Sequence, residues 1–466
     1  MESLHSYDGE TLYLKTYNLI RKKIEHNEIN KKLPSIRKMA KILGISNFTV
    51  IKAYELLEKN NYIVSKKGSG FYISYAKQEI FYPEDYMKNE DFKYTYFNEK
   101  CQIDFSSASP KSSHFPINTL KETISQILDI DGEKALLYEN PQGNIDFRKA
   151  IKKDIKKIGI NASVKNIQII SGAQQGINLV SKVLIQNNDI IVTEDPTYKG
   201  AINSFKEMGG KIKQITIEND GISIERLEDF LKFNSIKLLY LIPIFQNPTG
   251  ISISKEKIIK LLELAKKYDF YIVEDDSNSE LYFKNQLKPI KSYDKENRVI
   301  YIKSYSKVFM PGFRLGFMIV PENITPKIIR TKYFSDISTS GLNQRIFQYF
   351  MENQIWEEYT NNLRKEFFKK QDYLFNKLNS IENISTYKPD GGLSFWITLP
   401  KSITGEAMYF KLLKDGISII PGVVFSPNFS NHIRMSFAQC SYADIDKGIK
   451  IFKKRLNELI ELNNSV

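Results

Sequence analysis

Apolar positions at helical spacing open the sequence. Across residues 12–29, Leu12, Tyr17, Ile20 and Ile24 share one face of a predicted helix. Two shorter amphipathic segments follow, and a serine precedes each of them. Serine is a favoured N-cap because its hydroxyl accepts a backbone N–H of the first helical turn. The pattern therefore predicts three consecutive helices.

A glycine turn joins the two shorter helices. Ser35 is predicted to cap the first of them, Gly44 to end it, and Ser46 to cap the second. Their apolar faces consist of Ile36, Met39, Ala40 and Leu43 in the first helix and Val50, Tyr54 and Leu57 in the second. Such a pair is the helix-turn-helix pattern, whose second helix enters the major groove of DNA. The next segment, "YIVSKKGSGFYI", predicts a wing of two strands around a basic glycine turn. The alternative is a small helical subdomain with a hairpin.

From residue 103 onward, short apolar strands alternate with amphipathic helices. The strand segments are "NIQIISG", "DIIVTEDP", "IKLLYLIPIF", "FYIVEDD" and "RVIYIKSYS". This alternation predicts a largely parallel sheet with helices on both faces. Ligands of such sheets bind beyond the carboxyl ends of the strands. Residues 76–102 show no period and are predicted to link the two regions.

Positive charge is concentrated near the beginning of the chain. The formal net charge is +13, and residues 1–75 contain 13 Lys and Arg against 7 Asp and Glu, a net +6. Concentrated basic charge suits a phosphate backbone as partner. A solvated lysine-rich surface would give the same composition, so the motifs decide between the two.

Length and composition exclude several classes of protein. A chain of 466 residues is too long for one hydrophobic core and fits two or three domains. No apolar run approaches the roughly 20 residues that span a bilayer, and the polar N-terminus is not a signal peptide. Cys101 and Cys440 lie far apart, which favours a reducing cytoplasm. The four histidines are scattered, so we expect no metal site. Because no apolar run is long enough, we expect no membrane partner.

Polar residues mark the predicted carboxyl ends of the strands. "SGAQQGINLV" follows a strand and opens a helix, so the amides of Gly172, Ala173 and Gln174 are suited to bind a phosphate. The other candidates are Tyr198 in "EDPTYKG", Asn247 in "FQNPTG", Asp275 in "VEDDSNSELYF", and Ser304, Ser306, Lys307 and Arg314 in "SYSKVFMPGFRLGF". Taken singly, each has a structural explanation: a glycine turn, a packed ring, a proline turn or a solvated acidic loop.

Together these residues match the partners of pyridoxal 5'-phosphate (PLP). The helix amides with Ser304, Ser306 and Arg314 would hold its phosphate, and Lys307 would form the Schiff base. This assignment explains why a lysine and an arginine flank a Pro-Gly bend within an apolar stretch.

The ring of PLP would meet three further side chains. Tyr198 would stack on it, and Asn247 would donate a hydrogen bond to its oxygen. Asp275 would pair with the ring nitrogen and keep it protonated, because a nearby negative charge favours the charged form. The sequence therefore predicts a PLP site at the carboxyl edge of the sheet.

The N-terminal region resembles the winged helix-turn-helix of the GntR family along its whole length, in "LPSIRKMA", in the Ser-x-x-Thr-Val start of the second helix and in the Gly-Ser-Gly wing. The resemblance implies that Gly68 and Gly70 shape the wing. It implies DNA contacts from Ser35, Arg37, Ser46, Asn47, Thr49, Lys52, Lys66, Lys67 and Gly68. The family usually has an arginine at the position of Asn47, so an adenine contact replaces the expected bidentate guanine contact there.

Residues 100–460 resemble the fold-type I aminotransferases in the order and spacing of the PLP candidates. Further matches are "YENPQGNIDFRKAI", "PDGGLSFW" and "HIRMSFA". The resemblance implies that Arg434 grips the carboxylate of a substrate or effector in a bidentate pair. Relatives often read "EDDYDSEF" where this chain has "EDDSNSEL", so Ser277 replaces a tyrosine expected at the ring oxygen. Asn247 is then the main candidate for that contact, and catalytic turnover is less expected.

The combination resembles the MocR/GabR regulators, a GntR subfamily. The implied fold is an α+β winged helix-turn-helix (residues 10–75), a linker (76–102) and an α/β fold-type I aminotransferase-like domain (103–466) with a small C-terminal α+β part. The implied function is transcription regulation: binding of double-stranded DNA, use of PLP and sensing of an amino compound by a head-to-tail homodimer. The alternative is an active PLP-dependent aminotransferase with an accessory DNA-binding domain.

Overall fold

The structure is a computed structural model that describes residues 11–25, 29, 32–59, 62–66, 69–73 and 101–464. The chain divides into two compact units, Met1–Lys93 and Tyr94–Val466. Within the described ranges, no helix has the length and apolar character needed to cross a membrane. The same residues contain no group of three or more His, Cys, Asp or Glu side chains able to hold a metal ion.

The described residues of the first unit form α1 (Leu12–Glu25), α2 (Ile36–Leu43), α3 (Asn47–Lys59) and a hairpin of β1 (Ile63–Lys66) and β2 (Gly70–Ile73). The two strands pair antiparallel. The predicted cap residues are confirmed, since Ser35 Oγ accepts the N–H of Lys38 and Gly44 ends α2 with a φ of 66°. Ser46 Oγ accepts the N–H of Thr49 at 3.1 Å. The predicted winged helix-turn-helix fold is therefore confirmed.

The core of the first unit lies between the helices and the hairpin. It contains Ile20, Ile24, Met39, Val50, Tyr54, Leu57 and Ile63. The hydroxyl of Tyr54 donates to the carbonyl of Pro34 at 2.8 Å, so it ties α3 to the start of α2. Leu12, predicted on the buried face of α1, is exposed because it is the first residue of the helix.

The second unit begins with β3 (Ile103–Asp104) and alternates strands with helices. The elements up to the end of the large sheet are α4 (Ile117–Asp131), α5 (Ile145–Ile155), β4 (Ile167–Ile170), α6 (Ala173–Leu184), β5 (Ile190–Asp195), α7 (Lys199–Glu207), β6 (Lys211–Glu218), β7 (Gly221–Ile222), α8 (Ile224–Leu231), β8 (Leu238–Leu241), α9 (Lys255–Lys267), β9 (Tyr271–Asp276), β10 (Val299–Ser304) and β11 (Gly316–Ile319). Eight of the strands form one sheet in the order β4-β11-β10-β9-β8-β5-β6-β7. The central pairs β6/β5, β5/β8, β8/β9 and β9/β10 are parallel, which confirms the predicted sheet.

Helices cover both faces of this sheet. On one face, Ile177 and Val180 of α6 pack with sheet residues such as Ile300 and Ile302. On the other, Leu227 of α8 and helix α9 pack on a second set of sheet residues. Because both faces are covered, the central strands are apolar along nearly their whole length. Polar side chains are consequently concentrated where the strands end.

A small C-terminal part completes the second unit. Before it come α10 (Thr325–Asp336), which packs on the large sheet through Ile328, and α11 (Gly341–Glu352), which contacts α5 through Phe347. The elements that follow are α12 (Ile355–Asn379), β12 (Ser394–Thr398), α13 (Gly405–Leu413), β13 (Ile417–Ser418), β14 (Ile420–Pro421), β15 (His432–Ser436) and α14 (Tyr442–Asn464). Strands β12, β15 and β14 form an antiparallel sheet. Strand β3 pairs in parallel with β13, a contact that the sequence did not predict. The first strand after the linker therefore belongs to the C-terminal part.

Candidate functional site

The turn between β4 and α6 places three backbone amides at a helix N-terminus. Gly172 precedes the helix with a φ of 106°, a backbone conformation that residues other than glycine rarely adopt. A Cβ at this position would lie 2.9 Å from Nη2 of Arg314. The predicted amides of Gly172, Ala173 and Gln174 are thus adjacent to a guanidinium, and both kinds of group attract an anion.

Lys307 and Arg314 lie in the connection of the β10–β11 hairpin. Ser304 ends β10 opposite Gly316, and its Oγ accepts the N–H of Ser306 at 3.3 Å. Arg314 follows a short helical turn with a φ of 48°, and its Nη1 donates to Ser306 Oγ at 3.3 Å. The bend therefore returns Arg314 to the serines that end β10.

Lys307 lies among charged groups contributed by three parts of the chain. Burial and the positive charges of Arg434 and Arg314 lower the pKa of Lys307 to about 8, while Asp275 opposes them. About half of the amine is therefore neutral near pH 8, and a neutral amine is the nucleophilic form. The structure thus brings together the four ionisable groups predicted at the site, which are Lys307, Asp275, Arg314 and Arg434.

Asp275 is buried at the end of β9 and accepts two side-chain hydrogen bonds. Tyr240 donates to its Oδ2 at 2.7 Å, and Ser277 donates to its Oδ1 at 2.9 Å. Burial raises the pKa of Asp275, and these two hydrogen bonds oppose the rise. Sequence reasoning missed Tyr240, although a tyrosine within the apolar run "LLYLIPIF" was a possible signal.

The three consecutive acids do not form a solvated loop, the structural alternative considered from the sequence. All three are buried. Glu274 accepts the N–H groups of Ile290 and Lys291 at 2.8 Å each. Asp276 accepts from Tyr301 and Lys303 on β10. Each acid is enclosed because parallel strands flank β9 and helices cover both faces.

Ser277, which replaces a family tyrosine, binds Asp275. Lys303 stabilises the loop that carries Ser277. The Nζ of Lys303 lies 2.9 Å from Asp276, 2.7 Å from Ser279 and 2.7 Å from Glu280. The lysine and both acids thus form a buried ion cluster that includes Asp276, the neighbour of Asp275, with Glu280 partly exposed at its edge. Sequence reasoning missed this cluster because a lysine in a strand normally marks an exposed face.

Arg434 on β15 is buried and only partly satisfied. Its Nη1 donates to Asn247 Oδ1 at 2.8 Å, and its Nη2 donates to the carbonyl of Ser106. Its Nε has no hydrogen-bond partner among the described residues. The guanidinium carbon lies 5.3 Å from the ring centre of Phe425. Burial lowers the pKa of Arg434 to about 10, with the charge of Asp104 opposing. A further anionic partner would satisfy this group.

Tyr198 directly precedes α7 and is half-buried. Its hydroxyl donates to Gln174 Oε1 at 2.9 Å. Burial and the charge of Asp275 raise its pKa, and Arg314 lowers it, so the phenol lies near both charges. Stacking on a cofactor ring stays a prediction, as do the other assigned cofactor contacts.

The predicted DNA-contacting residues lie mostly on one exposed surface of the first unit. Ser35, Arg37, Ser46, Asn47 and Lys52 are exposed, and Thr49 is half-buried and hydrogen-bonded to Ser46. Lys66 ends β1, whereas Lys67 and Gly68 lie outside the described residues. Phe48, which the sequence analysis did not single out, is 64% exposed on α3. Its position beside Asn47 on the outer face was the available signal.

Two family models match the chain. The model "Aminotransferase class I and II" matches residues 100–452, and "Bacterial regulatory proteins, gntR family" matches residues 12–73. The uncharacterized HTH-type transcriptional regulator YdfD of Bacillus subtilis is 28% identical over 469 residues, covering 96% of this chain and 96% of YdfD. Aromatic-amino-acid aminotransferase 1 of Thermococcus litoralis is 30% identical over 367 residues, covering 76% and 88%.

A solved structure with a bound cofactor derivative has the same fold as the second unit. It is the α-aminoadipate aminotransferase LysN of Thermus thermophilus, complexed with N-(5'-phosphopyridoxyl)-L-leucine. The TM-score is 0.75 at 27% identity, covering 81% of this chain and 97% of LysN. Fold-type I aminotransferases depend on PLP.

The residues present fit this cofactor. The turn at Gly172 is a cradle that a Cβ would fill, and it faces the cation of Arg314. A buried carboxylate, Asp275, and an amine of lowered pKa, Lys307, complete the donor set. The chain belongs to the aminotransferase class I and II family and carries an N-terminal GntR-family DNA-binding domain, which together form the MocR-type architecture.

Proposed function

We propose that the protein is a PLP-dependent transcription regulator that binds double-stranded DNA and senses PLP or an amino compound. The observation that supports the proposal is the presence, in one chain, of a GntR-family domain and an aminotransferase class I and II domain in which Asp275, Arg314 and Arg434 influence the charge of Lys307. Relatives named as transcriptional regulators span nearly the whole chain. The proposed place of action is the cytoplasm, because two distant cysteines fit a reducing compartment.

In the proposed site, each end of the cofactor meets groups of complementary charge. The amides at the start of α6, with Ser306 and Arg314, would hold the phosphate. Asp275, kept in place by Tyr240 and Ser277, would hold a proton on the ring nitrogen. Bound PLP supplies an electrophilic carbonyl and an electron sink.

The effector proposed is an amino compound with a carboxylate. Its amine would react at the cofactor next to Lys307, and its carboxylate would pair with Arg434. The unsatisfied Nε of Arg434 supports this role, because a buried guanidinium without an anion is costly. The hydrogen bond to Asn247 Oδ1 orients the guanidinium and leaves the Asn247 amide to donate to the cofactor.

We further propose that two copies associate head to tail. An exposed apolar patch on the second unit supports a partner copy. It comprises Ile130, Leu136, Leu137 and Tyr138, the last 83% exposed. Arg345 pairs with Asp131 and Glu139 at the two ends of this segment and so holds the patch in place. Exposed apolar side chains grouped within one segment, here residues 130–138, are typical of protein interfaces.

The second candidate function is catalysis by an aminotransferase whose DNA domain only localises it. The 30% identity to the aminotransferase of Thermococcus litoralis favours it. Turnover assays with a panel of amino acids and 2-oxoglutarate separate the two. A regulator shows at most a single half-reaction, whereas an enzyme shows sustained release of 2-oxo acid.

Reciprocal binding tests the regulator. The full-length protein is used to enrich duplexes from a random library, and amino acids are titrated with and without the enriched duplex. We expect one amino acid to change the affinity for DNA, and DNA to change its apparent affinity by the same factor, typically about 5- to 150-fold. Identical titration curves for every amino acid and for PLP would mean that the two units are only tethered.

A further inference from the structure

The outward face of α3 carries two exposed apolar side chains. The inward face is formed by Val50, Ala53, Tyr54 and Leu57, all buried. On the opposite side, Phe48 is 64% exposed and Ile51 is 36% exposed. Residues three positions apart on a helix are neighbours, so these two side chains form one apolar surface. They contribute little to the core of the unit.

Polar and charged side chains surround this apolar surface. Asn47 lies one turn before Ile51, and the Nζ of Lys52 lies 4.9 Å from the ring centre of Phe48 and 5.5 Å from that of Tyr13. Exposed basic residues on α2 are Arg37, Lys38 and Lys41. Glu55 is the one acid exposed beside this face within the described part of α3. An apolar centre with a basic rim suits a groove lined by phosphates.

The major groove of DNA contains one apolar group, the C5 methyl of thymine. Aromatic and aliphatic side chains contact this methyl, whereas asparagine pairs with N6 and N7 of adenine. Asn47 and Phe48 are adjacent at the start of α3, the end of a recognition helix that contacts base edges. Their chemistry therefore matches A·T base pairs and offers no bidentate donor for guanine.

We propose that Phe48, supported by Ile51 beside it, reads a thymine methyl group, so that the base pair contacted by the start of α3 is A·T. The proposal rests on the proposed function, because it names the base recognised by the DNA-binding unit. The occupant of the apolar surface is duplex DNA. The net charge of +6 in residues 1–75 favours a polyanion over an apolar protein surface.

Replacement of thymine by deoxyuridine tests the proposal, because it removes only the C5 methyl. Duplexes are enriched from a random library with the full-length protein, and each invariant thymine is then replaced singly. At matched salt, we expect at least one replacement to lower wild-type affinity about four-fold, the ~0.8 kcal/mol of one buried carbon group. Phe48→Ala should bind the thymine and deoxyuridine duplexes equally well.

Two variants serve as controls. Ile42→Ala removes another exposed apolar side chain, 59% exposed on α2, and should keep the sensitivity to deoxyuridine. Phe48→Leu keeps an apolar side chain at this position and should retain part of the sensitivity to deoxyuridine. Because Phe48 is exposed, Phe48→Ala should fold normally, which circular dichroism checks.

Each other outcome overturns the proposal in a distinguishable way. Tight binding to enriched duplexes with no effect of any deoxyuridine removes the role of Phe48 and leaves the regulator intact. Retained sensitivity in Phe48→Ala assigns the methyl contact to another residue. A change of oligomeric state in Phe48→Ala, with unchanged DNA recognition, assigns the surface to a second copy. Failure to enrich any duplex overturns both this inference and the proposed function.

Discussion

Gly172 sets the distance between the N-terminus of α6 and the guanidinium of Arg314. In Gly172→Ala, the new Cβ would lie 2.9 Å from Nη2, 3.3 Å from Cζ and 3.4 Å from Nη1 of Arg314. The guanidinium is the end of a flexible chain and can move, but it moves away from the anion site. A lost charge-assisted hydrogen bond costs ~1.5–3 kcal/mol. We therefore expect the Kd for PLP to rise about 10- to 150-fold.

The assay is a titration of the cofactor-free protein with PLP, followed by visible absorbance. Gly312→Ala is the matched control, because Gly312 has no atom within 4 Å of a Cβ and no positive φ. Pyridoxal, which lacks the phosphate, should bind Gly172→Ala within about two-fold of the control. Equal weakening of PLP and pyridoxal would refute the assignment of this turn to the phosphate.

Three further predictions concern charged side chains. Lys307→Ala should abolish the covalent PLP adduct that borohydride traps. In the wild type, the rate of trapping should rise through about pH 8, where the Lys307 amine becomes neutral. A rate independent of pH would contradict this prediction. Arg434→Ala should move the midpoint of this pH dependence to higher pH, because it removes a positive charge that lowers the pKa of Lys307. It should also abolish any response to amino acids while the protein retains PLP. An unchanged midpoint would contradict the proximity of Arg434 to Lys307. In a urea titration, Lys303→Met should lower the free energy of unfolding by ~3–5 kcal/mol, because it leaves Asp276 and Glu280 without their cation. The control Lys284→Met breaks an exposed ion pair with Asp390 and should lower it by ~0–1 kcal/mol.

The fold was largely predictable because its signals are local. The caps at Ser35 and Ser46 and the turn at Gly44 are short-range features, and the structure has them where the pattern predicts. The parallel sheet followed from apolar runs separated by helical segments. The candidate residues at the strand ends followed from the same alternation, because parallel strands end at one edge.

The contacts that orient the site were not predictable, because they join distant parts of the chain. Tyr240 and Asp275 are 35 positions apart, and Asn247 and Arg434 are 187 apart. No helical or strand periodicity in the sequence relates residues so far apart, and only the packing of the strands brings them together. The buried ion cluster of Lys303 escaped for another reason: its charges are satisfied by one another, which sequence patterns do not reveal.

The pairing of β3 with β13 has a mechanical consequence. Ile103 and Asp104 are the first strand after the sequence that joins the two units, and they are hydrogen-bonded to Ile417 and Ser418 of the C-terminal part. Ser418 also donates to Asp104, and Arg434 holds the carbonyl of Ser106. The tether from the DNA-binding unit is thus attached to the part of the molecule that carries Arg434. Any displacement of that part therefore also displaces Ile103, at the end of the connecting sequence, without a relay through the large sheet.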